Sequence, residues 1–440
     1  MGLNVTTLGI VALGVLIGLA CAARAEGTGP IKISRSVHYE VASPAQQAQV
    51  TGISYASIRH NALIESIGVP EGLLIRRSED NGRTWITCEK WPTTRPLQGD
   101  RYIERDAPDF FLDPETGWLL RVYGECETIR GVLPWDEKSP VMMTRRIYTQ
   151  ISRDEGKTWD EPQQVIQRGA GHDAVHWAEG FAYGKNGAAV EGAHLLKVSD
   201  GTVLMPFWGY RLHENDAFRS PQDGWPTSIN GCFLGKWRAD GSAVDWDMGR
   251  PMALPRKYSN DGADEPSIDV LPDGRLLMVI RARVCDPKLT PTPGLKYYSL
   301  SSDDGRTWSE GEPLLYDDGA MPYSPACLAN VFRSRKNGRL YLITNLNPEP
   351  GNNCDPRTTL QIAEIDPKSL RIIQCTVTPI ETRSGDQPPN IRFSNFRWYE
   401  DRETLDIVLL LTACPGDVGR SPTCGCRPQS FRYDIRLPER

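Results

Sequence analysis

One eight-residue pattern occurs three times in this chain: SEDNGRTW at 78–85, SRDEGKTW at 152–159 and SSDDGRTW at 301–308. The first two copies start 74 residues apart, and the third follows 149 residues later, close to two such steps. A degenerate copy is therefore expected between them, and Ala239-Asp240-Gly241 followed by Trp246 is the candidate. A regular spacing of this length is the mark of a repeat architecture, in which each unit buries its apolar face only against its neighbours.

A second pattern runs in phase with the first. Thr116-Gly117, Asp200-Gly201, Asp273-Gly274 and Asn337-Gly338 each lead into a short apolar strand, as tight hairpins do. Gly117 precedes the box at Ser152, Gly201 precedes Asp240, and Gly274 precedes Ser301. Gly338 precedes a degenerate box at 363–372, AEIDPKSLRI. A poorer hairpin lies before Ser78, and a sixth, around Glu403-Thr404-Leu405, precedes the last strand, FRYDIRL at 431–437. That makes six units. Long amphipathic helical stretches are absent, and short β-branched and aromatic runs between Gly, Pro, Asn and Asp dominate. The expected fold is all-β: a six-bladed propeller, which leaves only short sheet edges.

The residue types of the box explain themselves without a substrate. The Asp carboxylate can accept backbone N–H groups across a tight turn. The Gly takes a conformation that other residues resist, and the Trp supplies a large apolar area for packing between sheets. The box therefore marks the fold and not the activity.

Residues 8–23 form an uncharged run, too short for a membrane span of roughly 20 residues. The small-residue site Ala23-Arg24-Ala25 follows, so 1–25 reads as a secretory signal and 26–440 as the propeller. A signal anchor, or a lipid anchor at Cys21, is the alternative. The expected location is secreted or periplasmic, with no stable membrane span after cleavage. The signal contains one of the 11 cysteines. An even remainder in an exported chain suits disulfides, with Cys424-Gly425-Cys426 as a stapled terminus. Net charge is −6, from 50 basic and 56 acidic residues, which argues against a nucleic-acid surface. No zinc-type cysteine spacing occurs. His172 and His176 have a spacing that suits a metal only on a helix, and none is expected there. Neither a metal nor a cofactor is expected. The same stretch, GHDAVHWAEG, reads as a loop or strand at a pocket mouth, with His172, Asp173, His176 and Glu179 as alternative candidates for catalytic groups, and Trp208 and Tyr210 as a sugar platform or blade-interface filler.

The boxes resemble the Asp-boxes, or BNR repeats, of the sialidase and neuraminidase superfamily, and the resemblance spans the whole of 26–440. A sharper likeness lies in DEPSIDVLPDGRLLMVIRAR at 264–283. It resembles the family's glutamate followed, one hairpin later, by an arginine, which puts Glu265 and Arg281 in those roles. A third likeness, at 341–366, puts Arg357 in the role of a further arginine. The resemblance implies an exo-sialidase type of hydrolase acting on terminal acidic sugars of glycans. Glu265 would take a proton in catalysis, and Arg281 and Arg357 would hold the substrate carboxylate. Guanidinium groups suit that task because they bind a carboxylate with two parallel charge-assisted hydrogen bonds.

Three features of the family pattern are absent. There is no R-I-P arginine, and no Asp lies between Ile31 and Arg77. Where the family has its tyrosine nucleophile, this chain reads Phe393-Ser394-Asn395-Phe396. Tyr399 lies near in sequence but six residues on. Two alternatives follow: a propeller glycosidase for a different sugar, and a non-catalytic carbohydrate-binding or interaction propeller.

Overall fold

A computed structural model describes residues 30–40, 48–131, 145–190, 194–210, 228–260, 262–284, 288, 290–414 and 429–439. The expected signal segment and Cys424–Cys426 lie outside them.

The described strands form six antiparallel sheets of four to six strands. Blade I is Gln49–Tyr55, Leu63–Val69, Gly72–Ser78 and Ile86–Trp91. Blade II is built on Asp109–Leu112, Leu119–Ile129, Arg145–Ser152 and Gln163–Gln164. Blade III centres on Val203–Gly209, Ile229–Trp237 and Val244–Met248, with the short inner pieces Ala188–Ala189 and Leu196–Lys197. Blade IV is Ala263–Val270, Leu276–Ala282, Lys296–Ser301 and Glu312–Pro313. Blade V is Asn330–Arg333, Leu340–Thr344, Thr359–Asp366 and Arg371–Ile372. Blade VI is Arg397–Glu400, Ile407–Thr412 and Ser430–Arg436, and its outermost strand is Lys32–Tyr39 from the other end of the chain.

Six apolar clusters lie one at each junction between blades, including the junction of VI with I, where Val50, Ile53 and Leu63 meet Tyr399, Val408 and Leu410. The ring is thus closed, and its core is six inter-blade seams. Each fully buried Leu, Ile or Phe adds roughly 1.5–3 kcal/mol, so a seam of about ten such residues holds a blade that could not stand alone.

The boxes behave as their chemistry requires. In blade II, Ser152 Oγ donates to Asp154 Oδ1 at 2.8 Å and accepts the Gly156 N–H at 2.7 Å. Asp154 also accepts the Thr158 N–H at 2.8 Å and the Thr158 hydroxyl at 2.7 Å. The boxes at Ser78 and Ser301 repeat these bonds. Gly156 has φ +81°, which is why glycine holds this position. Trp85, Trp159 and Trp308 each pack into the seam with the preceding blade. The degenerate copies fill the same place in blades III and V. Asp240 caps the turn from Trp237 to Val244, and Asp366 that from Thr359–Asp366 to Arg371–Ile372.

Chain direction then sorts the two ends of the ring. The boxes and the Gly-containing hairpin turns occupy one end. The starts of the inner strands, the ends of the second strands and the starts of the third strands occupy the other, with the longer connections.

Among the described residues no helix is long and apolar enough to cross a membrane. The disulfides that the cysteine count suggested are not formed by Cys88, Cys126, Cys232, Cys327 or Cys354, which are free thiols on different blades and loops. The 171–180 stretch is a largely exposed connection whose Trp177 is buried in the seam of blades II and III. Asp173 there accepts the Val175 and His176 N–H groups, so it holds a turn. Trp208 and Tyr210 are buried against each other, with ring centroids 5.9 Å apart.

Candidate functional site

The long-loop end of the channel gathers the three residues that the sequence singled out. Glu265 stands near the start of the inner strand of blade IV, at a break in register between Asp264 and Ser267. Its φ is +52°, a left-handed conformation unusual for a residue with a Cβ. Successive side chains on a strand point to opposite faces, so Asp264, directly across from Arg281, shares its face and Glu265 ordinarily would not. The bulge re-aims Glu265. Arg281 Nη1 is 2.8 Å from Glu265 Oε1, and its Nη2 is 3.1 Å from Asp264 Oδ2. Arg283 is 2.7 Å from the same Asp264 oxygen. The Arg281 side chain is 9% exposed. Burial works against its charge, and Glu265 and Asp264 more than restore it. Two atoms of this group are buried without a partner among the described residues: Arg281 Nε and Glu265 Oε2.

Arg357 enters from the loop that precedes the third strand of blade V. Its Nε donates to the Cys354 carbonyl at 2.8 Å and its Nη2 to the Ala326 carbonyl at 2.5 Å. Its Nη1 is 3.4 Å from Ser394 Oγ, so it spans from blade V to blade VI. Between Arg281 and Arg357 lies a pair that sequence reasoning missed. Lys296, opposite Arg281 in the sheet, donates to the carbonyls of Pro325 and Cys327 at 3.0 and 2.6 Å, and its Nζ is 3.3 Å from Cys327 Sγ. Burial alone would push the Cys327 thiol up, but Lys296 and Arg357 outweigh it and hold the thiol below its usual range. Burial pushes Lys296 down as well, so the positive charge of the IV–V arc rests on Arg281, Arg283 and Arg357, set against Asp264 and Glu265.

Phe393 is 2% exposed, in the apolar cluster of blades V and VI with Leu360, Ile391 and Phe396. Its N–H donates to the Arg357 carbonyl at 2.8 Å, so it sits beside the site but turns its ring inward. Tyr399 lies toward the other end of its strand, against Tyr55 and the blade I box, with ring centroids 5.7 Å apart.

Further round the channel the structure adds a second polar group. A pocket of about 120 Å³ is lined by Thr51, Asp106, Asp109, Tyr123 and Arg397 among others. Arg397 donates to the Thr51 carbonyl at 2.7 Å, which carries its guanidinium from blade VI over blade I. Burial pushes Asp109 up to about 6, against the pull of Arg397. His194, from blade III, is pushed down to about 4 by burial and by Arg397. Its ring lies 4.9 Å from that of Trp398, which in turn packs on Phe332 at 4.5 Å. Asp109 and Arg397 carry no local sequence signature. Only the absence of an Asp before Arg77 hinted that an acid had to come from elsewhere. No cluster of three or more His, Cys, Asp or Glu that could hold a metal occurs among the described residues.

A ring of six sheets with boxes at one end and a buried Arg–Glu pair at the other defines the chain as a sialidase-like propeller. A BNR repeat-like domain matches residues 131–370, more than half of the chain, and the chain belongs to that family. Among solved structures it is similar to the NanB sialidase of Streptococcus pneumoniae, with a TM-score of 0.56 at 13% identity over 91% of this chain and 70% of that one. It is also similar to the intramolecular trans-sialidase of Ruminococcus gnavus, with a TM-score of 0.55 at 12% identity over 91% and 97% of the two chains. A leech intramolecular trans-sialidase gives a TM-score of 0.55 at 12% identity over 92% and 70%. At these identities the likeness is one of fold. No curated protein matches the sequence.

Proposed function

We propose that this chain is an exported glycoside hydrolase of sialidase type, acting on terminal acidic sugars of glycans, with 1–25 removed as a signal. The observation that carries the reading is the Glu265–Arg281 pair. One carboxylate oxygen is fixed by the guanidinium at 2.8 Å and the other is buried without a partner. A buried polar atom left unpartnered is costly unless a ligand or water completes it. Glu265 Oε2 is the acceptor for a proton in the reaction, and Arg281 Nε, Arg357 and the surrounding positive charge suit a sugar carboxylate.

Glu265 takes its proton from water rather than from a phenol, because the ring at 393 has no hydroxyl. A tyrosine nucleophile suits a substrate that bears its own negative charge. Without one, direct attack by water is the simplest route, and it inverts the anomeric carbon.

The test is release of free sugar from a mixed pool of sialylated glycans by residues 26–440. Release that disappears in Glu265→Gln and in Arg281→Ala supports the reading. Phe393 favours a second reading, a propeller glycosidase for a different sugar. Release from other acidic glycans but not sialylated ones would select it. Binding without release from any glycan would identify a carbohydrate-binding propeller.

A further inference from the structure

We propose that Asp109, at the start of the inner strand of blade II, is the general acid of this site. This rests on the glycoside-hydrolase reading above.

Asp109 faces a gap. Asp109 and Arg397 line the same pocket, yet no ion pair joins them. Arg397 is held back by the Thr51 and Phe396 carbonyls, at 2.7 and 3.0 Å. Asp109 Oδ1 is occupied by the Phe110 N–H at 2.9 Å. A carboxyl and a guanidinium that could meet but are kept apart across a cavity leave room for an oxygen-bearing ligand between them. The acid then reaches a bridging oxygen of that ligand.

The backbone around Asp109 is built for close approach. Gly52 on blade I lies so close to blade II that a Cβ there would stand 2.5 Å from the Pro108 carbonyl and 3.0 Å from Asp109 Cα. The inner strand of blade I is bulged between Val50 and Gly52 at the same point. The two inner strands can converge only because residue 52 has no side chain, and Asp109 stands at the point of convergence. Gly124 plays the same part for the other acid, since a Cβ there would meet the Asp106 carboxylate.

The two acids of the pocket have different surroundings. Asp106 has Arg145 at 3.3 Å. Asp109 faces Arg397 from blade VI at longer range, Tyr123 on its own blade, and the uncharged Thr51 from blade I. His194 of blade III lies beyond Arg397 and is held neutral by burial. Burial dominates and brings Asp109 to about 6, so it holds its proton in mildly acidic solution. A carboxyl whose surroundings favour its protonated form is what an acid catalyst needs.

The step balances. The Asp109 proton passes to the glycosidic oxygen as the bond to the anomeric carbon breaks, and the bonding electron pair leaves with that oxygen as a neutral alcohol. Water adds to the anomeric carbon and gives its proton to Glu265. Solvent then returns a proton to Asp109 and removes one from Glu265, so the sum is glycoside plus water to two hydroxyl products.

The test compares leaving groups. Asp109→Asn is expected to lower kcat/KM by about 10²–10⁴-fold on a glycan whose leaving group is a sugar alcohol. An aryl glycoside with an acidic phenol needs little protonation, and there the loss is expected to stay under about tenfold. The alkaline limb of the wild-type kcat/KM profile should disappear in the variant. Asp109→Glu, which keeps a carboxyl, should recover part of the glycan activity, and it serves as the main variant if Asp109→Asn does not fold. Equal loss on both substrates, no loss on either, or an unchanged alkaline limb would overturn the assignment. A wild-type protein that cleaves neither substrate overturns the hydrolase reading itself, and the acid role with it.

Discussion

Arg281 and Glu265 meet at 2.8 Å because the chain turns through a left-handed conformation at Glu265. Backbone strain of this kind costs roughly 1–3 kcal/mol and persists where the surroundings impose it. Glu265→Gln keeps the side-chain shape and one acceptor but cannot take a proton. Turnover is expected to fall by about 10²–10⁴-fold, with KM changed much less. Steady-state kinetics of the folded variant decide this, and wild-type turnover in Glu265→Gln would remove Glu265 from the mechanism.

The boxes should govern stability without touching catalysis. Ser152→Ala removes a buried hydroxyl that bonds Asp154 and the Gly156 N–H, and should cost about 1–3 kcal/mol. Gly156→Ala forces a Cβ into φ +81° and to 2.9 Å from Ile64 Cδ1 in blade I. It should destabilise by about 1–2 kcal/mol. Denaturant unfolding measures both, and kcat of the folded fraction should stay as in the wild type.

Glu65 should be among the most sensitive positions in the ring. It is fully buried in blade I, holds Arg76 through Nε at 2.7 Å, and has the His38 ring of the closing strand at 2.9 Å. Glu65→Ala leaves the Arg76 cation buried without its counter-ion and should cost about 3–5 kcal/mol. Calorimetry is the measurement, and a loss under about 1 kcal/mol would contradict a buried ion pair.

Two groups that sense Arg397 make opposite contributions to the pH dependence of stability. Asp109 titrates near 6 in the fold and near its ordinary value when unfolded. Between those values the native state holds more protons, so this group makes stability fall as pH rises from about 4 to 6. His194 titrates near 4 in the fold, so between about 4 and 6.5 the unfolded state holds more protons. That group makes stability rise with pH over nearly the same window. The two contributions offset each other in the wild type. Relative to wild type, Asp109→Asn should therefore gain stability as pH rises from 4 to 6. His194→Asn should lose relative stability as pH rises from 4 to 6.5. Melting temperatures across the window test both signs.

Phe393→Tyr should not create a nucleophile. The ring lies in the seam of blades V and VI among apolar side chains, and a phenol there lacks a partner. The expected result is unchanged turnover and a loss of about 1–3 kcal/mol. A gain in hydrolysis would show that the ring can turn into the site.

The boxes and hairpins were legible in the sequence because each depends on neighbours a few residues away. The Asp240 and Asp366 turns could be located by spacing alone, although their boxes are degenerate. Glu265 and Arg281 could be read together because a single hairpin joins them. Lys296 and Cys327 could not, because no short pattern links a strand of blade IV with the loop before blade V.

What the sequence determined by itself is the repeat: a turn motif and a strand rhythm that recur six times, which specify blades and hence a ring. The tertiary structure alone decided what faces the channel. Asp109 and Arg397 are 288 positions apart in the chain, and they confront one pocket only because the Lys32–Tyr39 strand closes blade VI and brings it against blade I. The physical reason is that hydrogen bonds within turns and strands are local, whereas the burial and charge that set Asp109 near 6 belong to groups brought together by ring closure.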